Sequence, residues 1–130
     1  FFCSGCELFA KENLPYLIDA EMVIDDSSEY EIAGLNFDFY NRDKRNVKSF
    51  TMVFYLFDDE GNPVSLGKNN IVLTVETSVN GGERVQGCLS LDSFLYEFPE
   101  ERYQVDYLYL SRIEYEDDSV WSDPFGLLAF

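Results

Sequence analysis

Cys3 and Cys6 are the residues of this chain that type and spacing best equip for chemistry. Two thiols separated by two residues can ligate one metal, belong to a lipid-anchor box or cycle as a redox dithiol. The surrounding run Phe1–Ala10, FFCSGCELFA, leaves all three open. As the second knuckle of a zinc ribbon, the pair is half of a zinc site, since a closed site needs four ligands. Cys88 is the one other cysteine and histidine is absent, so further ligands are expected upstream of Phe1. As a lipobox, Ser4-Gly5-Cys6 follows Phe1-Phe2 as the tail of an apolar signal segment, and Cys6 carries a lipid anchor. Against this, Cys3 stands where such a box has Leu, and Glu7-Leu8-Phe9 makes a poor polar tether. A redox dithiol lacks its βαβ context. The plain alternative is two idle thiols on a cut fragment. The knuckle is narrowly preferred, because Glu7-Leu8-Phe9 has the look of a packed segment. The choice sets the compartment: cytoplasmic for a zinc knuckle, cell envelope for a lipoprotein. The chain begins with Phe rather than Met, so natural residues are expected before it.

Oxygen ligands offer a second chemistry. Asp58, Asp59, Glu60 and Asn62 crowd one loop, and Asp117, Asp118 and Asp123 crowd another. Calcium wants several convergent oxygens. The EF-hand pattern fails, because taking Gly61 as its sixth position puts Leu56 at the first. Solvated turn acids account for both loops. Aromatic rings offer a third. Tyr103, Tyr107, Tyr109, Tyr115 and Trp121 could form a carbohydrate platform, yet alternation assigns the tyrosines to the core face. A carboxylate-pair hydrolase carries no weight, since with 25 acidic residues some pair is always close. No nucleophile–base motif stands out, and the expectation is a chain that is not an enzyme.

Composition narrows the partners. The 130 residues fit one domain, with residues 1–15 as the tail of an upstream element and 16–130 as the fold. A net charge of −16 repels phosphate backbones and anionic membranes, so no nucleic acid is expected. No apolar run is long enough for a membrane span.

The elements that must position any site are strands. Lys48–Val64, KSFTMVFYLFDDEGNPV, is apolar on both faces and then stops at an acidic Gly-Asn-Pro turn. That is the pattern of a central strand. Further strands are expected over 16–24, 29–41, 71–79, 83–91 and 103–116, and a short one opens at Val120-Trp121. A bulge near Ala33-Gly34 would reconcile the two parities of the second strand. Asp92 or Ser93 caps a helical turn before Pro99. Phe37, Phe39, Phe54, Leu56, Leu73, Val75, Tyr107 and Trp121 are the expected core, and Cys88 points away from it. The whole predicts an all-β fold, a two-sheet antiparallel Ig-like sandwich of about seven strands with one short helical crossover.

Phe54-Tyr55-Leu56-Phe57-Asp58 resembles the F-x-L-Y-D signature of a family of bacterial Ig-like β-sandwich domains, with Phe57 in the Tyr place. Ile113-Glu114-Tyr115-Glu116-Asp117-Asp118-Ser119-Val120-Trp121 is similar to an I-x-Y-x-D-G-S-x-W ending of related uncharacterised bacterial domains, with Asp118 replacing Gly. The resemblance implies a non-catalytic extracytoplasmic or accessory domain and transfers no catalytic residues. The expected role is a protein-interaction or spacer module with a protein partner. The alternative is a small-ligand module for carbohydrate or calcium.

Overall fold

The computed structural model describes residues 14–25, 32–64, 70–95 and 101–128. Its strands are β1 (Tyr16–Asp25), β2 (Ile32–Asn41), β3 (Val47–Phe57), β4 (Ile71–Val79), β5 (Arg84–Ser90), β6 (Gln104–Tyr115) and β7 (Val120–Ser122). A 3-10 turn, Asp92–Phe94, follows β5. Two antiparallel sheets result, ordered β1-β2-β5 and β4-β3-β6-β7. An immunoglobulin constant-type sandwich keeps its fourth strand with the first sheet. Here β4 hairpins back onto β3 and joins the second.

β3 is central, as its two apolar faces require, paired with β4 on one side and β6 on the other. Phe50, Met52, Phe54 and Leu56 are buried on its inner face. They meet Leu35, Phe37 and Phe39 of β2 across the sandwich. Phe39 stacks on Phe50 with centroids 4.3 Å apart, and Phe37 meets the same ring edge-on at 5.8 Å. At one side of the core, Tyr16 of β1 packs edge-on against Trp121 of β7 at 5.6 Å.

Four expectations need correction. The β1–β2 register runs unbroken from Tyr16↔Asn41 to Asp25↔Ile32, so no bulge forms at Ala33-Gly34. Gly34 instead makes room for a neighbour: a Cβ there would lie 2.8 Å from Cys88 Sγ. Neither Asp92 nor Ser93 caps the 3-10 turn through its side chain. Leu73 and Trp121 are only partly buried, each packed against the core from its rim. Tyr107, expected inside, is 54% exposed.

The last miss has a clear cause. β6 does not keep one parity against β3. Thr51 faces Arg112 but Met52 faces Leu110, and Val53 faces Tyr109 while Tyr55 faces Asp106. Each break inserts one extra residue in β6, which turns the side chains beyond it to the opposite face. Val105, Leu108, Leu110, Ile113 and Tyr115 therefore all reach the core, although they do not alternate. Tyr107 is the extra residue at the second break, with φ of 55°. Removing it would leave Val105, Leu108 and Leu110 in simple alternation with Asp106 and Tyr109.

The β2–β3 end is tied by polar groups. Asn41 is fully buried, and its amide donates to the Arg45 and Val79 carbonyls at 2.8 and 3.0 Å. Arg45 forks onto Asp43 at 2.9 and 3.1 Å and lies 3.8 Å over the Tyr115 ring. That guanidinium holds the Asp43 carboxyl down at about 2. Burial, with the Asp43 charge beside it, pushes the Tyr115 phenol up to about 12.

Candidate functional site

Strand alternation puts Thr51, Val53, Tyr55 and Phe57 on the outer face of the four-stranded sheet. The extra residue in β6 adds Tyr107 and Tyr109 to that face. The Tyr55 and Phe57 rings are nearly parallel, 13° apart with centroids at 6.0 Å. Tyr107 stands edge-on to both, at 5.9 and 6.0 Å. A non-glycine residue in the left-handed region costs on the order of 1–2 kcal/mol, and such residues cluster at functional sites.

The chain after β7 extends the surface. The Asp123 carboxylate accepts the Leu127 and Leu128 amides at 3.0 and 3.1 Å, closing a turn. That turn lies against Tyr109, whose hydroxyl donates to the Pro124 carbonyl at 3.1 Å. Burial, the Asp123 charge and Tyr55 raise the Tyr109 phenol above its usual range. Phe125 and Leu127 stand 79% and 77% exposed on the turn, and Val72 of β4 is exposed beside Val53.

The outer face is divided. Its other half is polar, with the Thr51–Thr74 hydroxyl pair, Lys48 near Glu114 and Asp118, and Arg112 against Glu114. Around the aromatic half acids outnumber the one described cation, Arg102, which precedes Gln104 opposite Phe57. Asp106 lies opposite Tyr55, and Asp58, Asp59 and Glu60 follow directly on Phe57.

No family model and no curated protein matches the chain. Among solved structures it is similar to a hypothetical protein of Peptoclostridium difficile 630. The TM-score is 0.62 at 10% identity, over 86% of this chain and 88% of that one. A Northeast Structural Genomics Consortium target also matches, with a TM-score of 0.43 at 11% identity over 82% of this chain and 76% of the other. The first likeness shows the sandwich fold.

Cys3 and Cys6 lie outside the described residues. Of the candidate calcium oxygens, Asp58 Oδ1 accepts the Glu60 and Asn62 amides at 3.0 and 2.9 Å. Asp117 accepts from the Ser119 amide and hydroxyl, which lowers its carboxyl's pKa. Asp123 serves its own turn. Among the described residues no three Cys, Asp or Glu side chains converge as a metal site. Cys88 is exposed, as its parity predicts, on the outer face of the other sheet. It borders an open depression of about 560 Å³ with Asp19, Glu21, Asn36, Asp38 and Gln86. Of the five rings considered for a platform, Tyr115 is buried, while Tyr103 and Trp121 pack against the core. Tyr107 and Tyr109 join Tyr55 and Phe57 instead. The φ of Tyr107 has no sequence signature, because that conformation ordinarily selects Gly or Asn.

Proposed function

We propose that this chain is a non-catalytic β-sandwich domain that presents the outer face of its four-stranded sheet to a protein partner. The observation that carries this is Tyr107, an inserted residue in a left-handed conformation with its ring turned to solvent beside Tyr55 and Phe57. A simple spacer has no use for that arrangement. Aromatic side chains are enriched at protein interfaces because they bring large contact area at low entropic cost. The resemblance to the F-x-L-Y-D domains supports a non-catalytic role.

A photo-crosslinker at Val72 tests this, with Gln86 on the opposite sheet as control. Val72 is expected to give a protein adduct that wild-type domain competes away and a Tyr55→Ala variant does not. Equal adducts at both positions, or none at Val72, would refute the proposal. A carbohydrate ligand is the second reading, favoured by the near-parallel Tyr55 and Phe57 rings, which suit the apolar face of a sugar. A glycan that raises thermal stability in the wild type, but not in Tyr55→Ala, would put this reading first.

A further inference from the structure

Resting on that reading of the face, we infer that the partner is an extended, positively charged segment carrying proline and arginine. Charge complementarity selects it. The whole chain carries −16, and the aromatic half of the face is bordered by Asp106, Asp58, Asp59 and Glu60. Of the described cations, Lys48 near Glu114 and Asp118 and Arg112 on Glu114 lie in the other half, and Arg102 stands two residues before Gln104, the partner of Phe57, so the four acids remain in excess. An approaching cation therefore meets net attraction, and an acidic partner meets repulsion.

The surface form agrees. Tyr55, Phe57 and Tyr107 offer ring faces and edges, and the apolar surface continues through Tyr109 to Phe125 and Leu127. Proline in an extended helix docks on aromatic surfaces without losing much entropy, because it is already ordered. Arginine stacks on the same rings through its planar guanidinium. This chain already makes that contact internally, with Arg45 3.8 Å over Tyr115 and Arg84 5.8 Å over Tyr40. A neutral sugar makes no use of the acidic charge around the rings.

The test titrates a synthetic Arg-Pro repeat peptide into the isotope-labelled domain, with a Glu-Pro repeat of equal length as control. The Arg-Pro peptide is expected to shift the amides of Tyr55, Phe57, Asp106 and Tyr107 and to leave Gln86 in place. Tyr107→Asn keeps a residue that tolerates the left-handed conformation, and should weaken binding by at least about tenfold. The exposed pair Asp59→Asn and Glu60→Gln should weaken it severalfold without unfolding the domain, and added salt should do the same. Several results overturn the inference: no shifts, equal binding of the Glu-Pro control, or binding indifferent to both Tyr107→Asn and the acid substitutions. A neutral β-glucan oligosaccharide that binds these residues in place of the peptide would refute the partner's charge while keeping the face. Loss of the Val72 adduct would instead remove the face itself.

Discussion

Tyr16→Phe removes one oxygen atom, and its consequence can be worked through. The Leu110 amide, beside the first break in the β6 ladder, donates 3.2 Å to the Tyr16 hydroxyl from the opposite sheet. Tyr16 is buried, and burial raises its phenol above the usual range. Phe fills the same space and keeps the edge-on contact with Trp121. What changes is that a buried amide loses its acceptor, at about 1–3 kcal/mol. For a domain of this length roughly 3–5 °C of melting temperature goes with each kcal/mol, so a fall of about 3–15 °C is expected. Urea unfolding measures the free energy, and hydrogen exchange at Leu110 assigns it. That amide should lose protection beyond the global change, while the amides of β2 should follow global stability alone. A loss under about 0.5 kcal/mol, or unchanged relative protection at Leu110, would show that the hydroxyl does not serve the break in the ladder.

Three further outcomes follow from the packing and the charges. Phe54→Ala, at a fully buried position of the central strand, should cost about 3–5 kcal/mol in urea unfolding. Gly87→Ala places a Cβ 2.8 Å from Phe37 Cζ and should cost about 1–3 kcal/mol, with Phe37→Leu recovering part of it in the double variant. Stability should also fall at both ends of the pH range in thermal melts. The Tyr115 phenol is raised to about 12 in the fold, so its contribution is complete below the ordinary value of 10.0 and is lost as pH climbs from there toward 12. The Asp43 carboxyl is lowered to about 2, so its contribution holds above the ordinary 3.8 and is lost as pH falls toward 2, an effect Arg45→Gln should reduce and the remaining backbone amides keep in part.

The sandwich was legible because alternation holds along β4 and along β3 from Phe50 to Leu56. Phe50, Met52, Phe54 and Leu56 are buried in turn, and Ile71 and Val75 answer them from β4. The candidate site was not legible, because it depends on a parity that changes within β6. Tyr103, Val105, Tyr107 and Tyr109 form one row on paper, and the residue inserted at Tyr107 divides that row between core and solvent. Asn41 closes the expected strand 29–41, where its pattern gives no sign of burial. Its burial depends on the Val79 carbonyl, supplied from a distant strand that local pattern does not reveal. In the two candidate calcium loops, Asp58 and Asp117 hold backbone amides of their own loops, a role that turn acids are expected to fill.

The extra residue in β6 also bears on how such a surface comes and goes among related chains. Deleting the three bases that encode Tyr107 would remove the second break in β6, with Val105, Leu108 and Leu110 still inside. The core would keep its composition, and the ring cluster of Tyr55, Phe57 and Tyr107 would lose one of its three members. Gain or loss of that ring thus lies one in-frame codon away. An alignment that tolerates a single gap would treat two such chains as equivalent, although only one of them carries the complete ring cluster.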